Sequence, residues 1–334
     1  MKTTFRTALS LQSMQWALKN LLWIVTLTAF LTSCNSNDDD GFQAIEIPGI
    51  TFDGDIDCCT AEEALQVYNF LQTVKIIPEL TAEVAGKYQI FAYTKSGKFH
   101  TGYNDIYFVA TKKQNGNYVK DFQVTTLAPL MTMNMGGKPM RHSTPTSAGT
   151  KIFDYSYLAL RSGWVSFLMN STEKDTWELS YDIQVLGETA SVVGVPITVD
   201  ALPEGQAWIK SFKIGDKSFV ISLVNPQLWQ TGENEIVAYL SERSNPMTEP
   251  FPLSTDKFTI DIDPRMPDMG NHTSPNNKSL ERQVDGSYKG VINLTMTGLW
   301  RIHLTVKDAE GNTVYGGGEF DEDGFSPLFW DVTI

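Results

Sequence analysis

Apolar and polar residues alternate with a period of two along most of the chain beyond residue 85. KYQIFAYT, DIYFVATK and WELSYDIQVL show this pattern, and SFVISLVN, EIVAYLSE, FTIDID and RIHLTVKD continue it. Turn residues such as NGN, EGQ, IGD and EGN, together with prolines, separate these segments. Short strands at regular spacing with turn residues between them predict an all-β sandwich.

One segment has a helical period instead. In TAEEALQVYNFLQTV, residues 60–74, Thr60 stands three residues before Glu63, which is the spacing of a capping box, and an apolar stripe follows. Pro78 limits any extension of this helix. We therefore predict a short helical segment, residues 60–84, ahead of the strands.

The strand pattern also repeats. Self-similarity at a fixed offset indicates duplicated structural units. Three landmarks recur in the same order, each about 130 residues from its counterpart: TGYNDI at 101–106 and TGENEI at 231–236, His142 and His272, and SGW at 162–164 and TGLW at 297–300. We predict two tandem β-sandwich domains, residues 85–203 and 204–334.

The first 33 residues have the features of an export signal. Lys2, Arg6 and Lys19 precede the apolar run LLWIVTLTAFL, which is too short to span a bilayer as a stable helix. The run ends in LTSC, which resembles a bacterial lipobox. This resemblance implies cleavage before Cys34 and lipidation of that cysteine. We predict that residues 1–33 are a lipoprotein signal peptide.

Residues 34–59 have no strong period, and their acidic composition indicates a tether. The sequence NSNDDDG after Cys34 resembles the acidic signal that sends Bacteroidetes lipoproteins to the outer face of the outer membrane. A plain flexible tether is the alternative, so we predict an outer-membrane lipoprotein and leave its membrane face open. Cys58 and Cys59 lack zinc-type spacing, and soft-metal, redox and purely structural roles stay open for them.

Composition and charge narrow the possible partners. The 334-residue chain has 42% apolar and 19% charged residues and a net charge of −13. The composition is globular, and the negative charge argues against nucleic acid and anionic lipid headgroups as main partners, because both attract basic surfaces. The sequence contains no GxSxG, no HExxH and no phosphate-binding glycine loop. We predict that the protein is not an enzyme.

Methionine and histidine cluster in two loops, one in each predicted domain. TTLAPLMTMNMGGKPMRHSTP, residues 125–145, contains four of the chain's eleven methionines, and DPRMPDMGNHTSP, residues 263–275, is a shorter version. Thioether sulfur and imidazole nitrogen together suit Cu(I) and, with more nitrogen or oxygen ligands, Cu(II). The candidate ligands are Met131, Met133, Met135, Met140 and His142 in the first loop, and Met266, Met269 and His272 in the second. The competing interpretation is core packing, for which flexible methionine is well suited.

The second loop and the strands after it resemble YtkA-like and FixH-like envelope domains. That pattern has an MPxMGH-type loop, a glycine–tyrosine strand and an MxGxW segment, and here it covers about residues 220–309. The matching residues are Met266, Pro267, Met269, Gly270, His272, Gly286, Tyr288, Met296, Gly298 and Trp300. The first copy matches less well, through Met135, Gly136, His142, Gly163 and Trp164. The resemblance implies small immunoglobulin-like β-sandwiches, some of them linked to copper handling or to assembly of copper-containing respiratory oxidases.

These patterns predict an all-β protein of two tandem immunoglobulin-like β-sandwich domains with a short N-terminal helical segment. The predicted function is lipid-anchored, extracytoplasmic copper binding for delivery or sequestration, with a copper-requiring envelope or respiratory protein as the partner. The alternative is an envelope protein-interaction module that assists a respiratory or transport complex and binds no metal. Solvent exposure separates the two: ligand sulfurs that converge on a shallow pocket favour copper, whereas sulfurs buried separately in the core, or loop ligands more than about 8 Å apart, favour the alternative.

Overall fold

A computed structural model describes residues 45–51, 60–203, 205–317 and 324–334, all of which belong to one compact unit. The predicted signal peptide, Cys34, Cys58 and Cys59 lie outside the described residues. Strands dominate the described ranges, which confirms the predicted all-β class. Within these ranges, no helix combines the length and apolar character that crossing a bilayer requires.

The predicted capping box begins the one α-helix of the described residues, α1 (Ala61–Leu71). The Thr60 hydroxyl accepts a hydrogen bond from the Glu63 N–H at 3.3 Å, and the Thr60 N–H donates to the Glu63 carboxylate at 2.8 Å. These reciprocal bonds satisfy two amide groups that a helix start otherwise leaves without partners. The buried face of α1, with Ala64 and Val67, packs against the outer face of the first sheet.

The strands, in chain order, have the following bounds: β1 Lys75–Ile76, β2 Ala82–Val84, β3 Tyr88–Thr94, β4 Phe99–His100, β5 Gly102–Lys112, β6 Tyr118–Val119, β7 Phe122–Met135, β8 Lys138–His142, β9 Lys151–Ile152, β10 Arg161–Phe167, β11 Thr176–Val185 and β12 Glu188–Ile197. The remainder are β13 Val199–Asp200, β14 Ile209–Ile214, β15 Lys217–Asn225, β16 Gly232–Glu242, β17 Thr259–Met266, β18 His272–Thr273, β19 Lys278–Arg282, β20 Ser287–Leu294, β21 Leu299–Lys307, β22 Thr313–Tyr315 and β23 Phe329–Thr333. The part of the chain that the structure describes also contains two 3₁₀ turns, Pro78–Leu80 and Pro267–Met269.

Two sheets enclose the first core. Within the described ranges, one sheet has the order β1-β3-β5-β10-β9, with β2 and β6 at its margins, and the other has the order β12-β11-β7-β8. Alternate residues of both sheets point inward, as a sandwich requires. The shared core contains Phe108 from β5, Val165 from β10, Leu127 from β7 and Trp177 from β11.

The second core is enclosed by a single curved sheet. Its order in the described residues is β14-β15-β16-β20-β19-β17-β21-β22, with β18 on β17 and β23 on β21. The sheet curls until its ends approach each other. The rings of Phe212 on β14 and Tyr315 on β22, the two end strands, have centroids 5.0 Å apart. Tyr288, Trp300 and Trp330 are fully buried in this core.

The strand order is the same in both halves. The run β3-β5-β10 of the first corresponds to β15-β16-β20 of the second, and β12-β11-β7-β8 corresponds to β22-β21-β17-β18. The pairing register agrees as well, since Gly163 lies opposite Ile106 and Gly290 lies opposite Ile236. The structure therefore contains two copies of one arrangement, as the TGxNxI and histidine landmarks predict.

The TGxNxI landmark has a structural cause. The amide of Asn104 accepts a hydrogen bond from the His100 N–H at 3.0 Å and donates to the carbonyls of His100 and Gly102 at 2.7 and 2.9 Å. Asn234 makes the same three bonds with Gln230 and Gly232. Each asparagine satisfies buried backbone groups at the start of its strand, so these residue types are fixed by folding in both copies.

The structure differs from the predicted segment limits at the N-terminal side. Residues 75–84 lie in the predicted helical segment, but strands β1 and β2 pair there with β3, and only the 3₁₀ turn is helical. Within the predicted tether, Ile47 is buried beside α1 and does not extend into solvent. Strands of two or three residues are too short to display a period. The boundary between residues 203 and 204 stays a prediction.

Candidate metal centre

The first methionine loop is a β-hairpin. β7 and β8 pair in antiparallel register and are joined by Gly136 and Gly137, whose φ values are 60° and 87°. A two-residue turn with both φ values positive matches the twist of a hairpin, and glycine adopts it without strain. The hairpin therefore brings β8 back along β7, residue against residue.

The register places four candidate ligands on one face of this hairpin. Met131 lies opposite His142, and Met133 lies opposite Met140. Residues paired across an antiparallel ladder point to the same face, with Cβ atoms about 4.5–5.5 Å apart. Met131 is fully buried in the first core, Met133 packs against that core, and His142 is 9% exposed. Three thioethers and one imidazole thus share the inner face of one hairpin.

A tryptophan from a third strand completes this face. Trp177 on β11 lies opposite Met131 on β7, and its ring meets the ring of His142 edge to face at 5.6 Å. The indole Nε1–H donates to the Met169 carbonyl at 3.0 Å. His142, Met131 and Trp177 therefore form one row across three neighbouring strands, with Met169 beside it.

One nitrogen of the His142 ring is held by the backbone. His142 Nδ1 lies 2.8 Å from the Ser143 carbonyl, which can only accept a hydrogen bond, so Nδ1 carries the proton. Nε2 is then the ring nitrogen that could bind a metal. Donation of one ring N–H to a carbonyl is the usual support of a metal-ligating histidine. The Ser143 N–H donates to the Met247 carbonyl at 2.7 Å, which brings a further methionine close to this row.

The second copy repeats the row. Met266 at the end of β17 lies opposite His272 on β18, and the register of β17 with β21 continues to place Trp300 beside Met266. The rings of His272 and Trp300 are 6.5 Å apart, and the Trp300 indole N–H donates to the Met296 carbonyl at 3.0 Å. Both copies thus bring together methionine, histidine and tryptophan, with the indole bonded to a second methionine residue.

The two rows differ in exposure. Met266 is 3% exposed, but His272 is open to solvent and Met269, in the 3₁₀ turn, is 54% exposed. Gly270 takes the left-handed conformation that ends this turn, and the Asn271 N–H returns to the Met266 carbonyl at 3.0 Å. Met269 therefore lies outside the buried row, although the sequence pattern groups it with the other two candidates.

The tryptophans that look equivalent in the sequence are not equivalent in the structure. The sequence landmarks SGW and TGLW predicted the pairing of Trp164 with Trp300, whereas the strand register makes Trp177 the counterpart of Trp300. The sequence pattern also missed Met169 and Met247 near the first row. Eight residues separate Met169 from Trp177 and four separate Met296 from Trp300, and this difference in length hides the correspondence. A methionine shortly before a tryptophan at the second position of a strand is the signal that Met169 and Met296 share, whereas no local signal indicates Met247.

Two further sets of possible ligands are Met135 and the histidine, cysteine and carboxylate side chains elsewhere in the described residues. Met135 pairs with Lys138 at the end of the hairpin, and its side chain lies outside what the structure describes. Among the described residues, no three histidine, cysteine, aspartate or glutamate side chains come together in a way that could hold a metal ion. In the two rows, methionine is paired with histidine on neighbouring strands.

Comparisons with known proteins leave the family open. No protein-family model matches the chain, and no curated protein does so. Among solved structures, the chain is 15% identical to the fibronectin(III)-like modules of CbhA from Clostridium thermocellum, with 72% of this chain and 88% of that chain covered and a TM-score of 0.17. A conserved domain protein from Bacillus anthracis is 11% identical over 80% of this chain and 91% of that chain, with a TM-score of 0.28.

The match to a third solved structure spans a smaller share of that protein's length. The dimeric latent PorU from Porphyromonas gingivalis is 11% identical, with 65% of this chain and 22% of that chain covered and a TM-score of 0.19. TM-scores this low carry no argument about function. The resemblance to YtkA-like and FixH-like domains stays a prediction.

Proposed function

We propose that this chain is a lipid-anchored envelope protein that binds Cu(I), one ion in each copy of the repeat, for delivery or sequestration. The observation that carries the proposal is the duplicated row. Methionine and histidine occupy paired positions beside a buried tryptophan in both halves, although much of the surrounding sequence differs. Thioether sulfur and neutral imidazole are ligands that suit Cu(I).

In the first copy, Met131, Met133 and Met140 would supply sulfur and His142 would supply Nε2. The side chain of Trp177 closes the row on its far side and excludes water from it. In the second copy, Met266 and His272 would hold the ion. A neutral ligand set of this kind leaves the charge of Cu(I) uncompensated, which favours the singly charged ion over divalent metals.

The burial of Met131 supports the competing function, an interaction module without metal. Its side chain is fully enclosed by the first core, as expected for a methionine that only fills space. Core packing explains a buried methionine, but it requires neither a histidine opposite it nor the same pair in the second copy. Copper binding accounts for both features.

We expect His142→Phe and His272→Phe each to remove one bound Cu(I). Phenylalanine keeps the ring packing and lacks the nitrogen ligand. The measurement is an anaerobic titration of the full chain, in mild detergent, against a chromophoric Cu(I) chelator. Cys58→Ser and Cys59→Ser are introduced throughout, so that thiolates make no contribution. His142→Phe should lose the first equivalent and His272→Phe the second.

His303→Phe is the matched control. His303 is buried like His142, and its Nδ1 also lies within hydrogen-bonding distance of a carbonyl, that of Ser326 at 2.6 Å, but no methionine is paired with it. This variant should keep both equivalents. If the starting chain fails to compete with the chelator, or if all three variants retain the same copper, the proposal is wrong.

A further inference from the structure

A cleft separate from the methionine rows lies between the two halves of the molecule. It has a volume of about 950 Å³ and is lined by residues of both, among them Trp164 of β10, Tyr239 of β16 and Leu253. The helix α1 covers one part of the outer face of the first sheet. The second half covers another part, where Ser166 on β10 donates a hydrogen bond to Ser222 on β15 at 3.0 Å. The cleft opens over the outer face of the same sheet.

Three aromatic rings form one wall of the cleft. The ring of Trp164 stacks on that of Tyr239 with centroids 4.5 Å apart and an angle of 22° between the planes. Tyr103 on β5 lies 6.1 Å from Trp164 and 5.9 Å from Tyr239. The cluster joins rings from both halves, so the wall is formed by the way the two copies pack.

A carboxylate stands beside this wall. Asp105 lies opposite Trp164 in the β5–β10 ladder, so both side chains point to the same outer face. The Tyr103 hydroxyl donates to the Asp105 carboxylate at 2.6 Å, and the Tyr107 hydroxyl is a second hydrogen-bond donor to it. The carboxylate is accessible to solvent through the cleft mouth. Asp105 makes no ion pair with any residue that the structure describes.

The surroundings leave the negative charge of Asp105 poorly compensated. Desolvation by the packed walls raises the pKa of Asp105, while the two tyrosine hydroxyls and the more distant Lys95 act in the opposite direction. Across the cleft, the pKa of Asp285 is lowered by hydrogen bonds from Ser287 and by the charges of Lys151 and Lys289. Lys151, the basic side chain among the described lining residues, thus acts on Asp285, and Asp105 keeps capacity for a cation.

We propose that this cleft binds an organic cation, an ammonium, amidinium or guanidinium group carried on an apolar body. The charged group would lie against the Asp105 carboxylate, and the apolar body would lie along Tyr103, Trp164 and Tyr239. Aromatic rings next to a carboxylate attract such cations through both the ring quadrupole and the full charge. The rest of the lining combines hydroxyl and amide side chains with apolar ones, so the aromatic wall and the Asp105 carboxylate are the features that would select an organic cation.

Benzamidine and benzamide form a matched pair of probes, since they share ring and shape and differ in charge. Calorimetric titration of the metal-free full chain in detergent, at low salt, is expected to give a benzamidine affinity at least tenfold higher than that for benzamide. Asp105→Asn should abolish this preference, because asparagine can still accept the Tyr103 hydroxyl bond and so preserves the wall. Asp182→Asn should leave the preference intact.

Asp182 is the appropriate control because its carboxylate also accepts two hydroxyl bonds, from Thr126 and Ser191, but lies on the exposed surface of the other sheet. The Asp182→Asn variant therefore distinguishes binding in the cleft from non-specific attraction of a cationic probe to a negatively charged protein. Equal affinity for the two probes, no binding of either, or an unchanged preference in Asp105→Asn would each overturn the proposal. None of these outcomes bears on copper, which is absent from the experiment.

Discussion

Replacing both Met131 and Met133 with leucine is expected to weaken Cu(I) binding in the first copy at least about 100-fold, which corresponds to about 2.7 kcal/mol. Leucine has nearly the volume of methionine and no sulfur, so the substitution removes two of the three thioethers on the inner face of the β7–β8 hairpin. Hydrophobic swaps that keep volume usually cost less than about 1.5 kcal/mol of stability. The binding loss should therefore exceed the loss of folding free energy.

The second copy supplies the control for this experiment. Met266→Leu should weaken only the second equivalent, because Met266 lies in the second core and its paired residue, His272, also belongs to the second half. Competition with a chelator at several strengths measures the two affinities, and urea unfolding of the metal-free variants measures stability. If affinity changes in neither copy, the methionines serve only as packing, and the metal-free interaction module becomes the better account of the repeat.

The substitution Gly290→Ala is expected to lower the free energy of unfolding by about 3 kcal/mol, at the upper end of the usual cost of overpacking. A Cβ atom at this position would lie 2.6 Å from the Lys278 carbonyl oxygen and 2.9 Å from that of Ser279. Both are backbone atoms of β19, the strand that links the two sides of the second sheet. The strand would have to move for the methyl group to fit.

The equivalent substitution in the first copy should be milder. At Gly163, the nearest atoms to an added Cβ are side-chain atoms of Leu127 and Ser147, both at 2.9 Å, and these can rotate away. We expect a cost of about 1–2 kcal/mol for Gly163→Ala. Denaturant unfolding of the two variants measures the difference. Equal costs would contradict the assigned register of β19 against β20.

The sequence predicted the elements whose signals are local. The capping box at Thr60 and Glu63 begins α1 as expected, because its two hydrogen bonds involve only neighbours in the chain. The repeat was also visible, since Asn104 and Asn234 each make three backbone bonds that no other residue type could replace. His142 and His272 are equivalent in the structure because each pairs with the corresponding methionine.

What the sequence could not predict depends on contacts between distant strands. Trp177 belongs to the first row because β11 pairs with β7 some 45 residues earlier in the chain, a register that no local pattern contains. Met269 has the right spacing but lies in a turn that directs it to solvent. The Asp105 cleft arises only when the two copies pack, so neither copy's sequence indicates it.

If thioether sulfur and imidazole nitrogen together hold copper in this chain, both must lie within bonding distance of the ion. X-ray absorption at the copper edge tests this most directly, on the full chain with Cys58→Ser and Cys59→Ser after loading with two equivalents of Cu(I). We predict sulfur neighbours at about 2.3 Å and nitrogen at about 2.0 Å, distances typical of such transition-metal bonds, with the sulfur signal reduced by the Met131→Leu and Met133→Leu substitutions. A copper environment of nitrogen and oxygen alone would contradict the proposed ligand set.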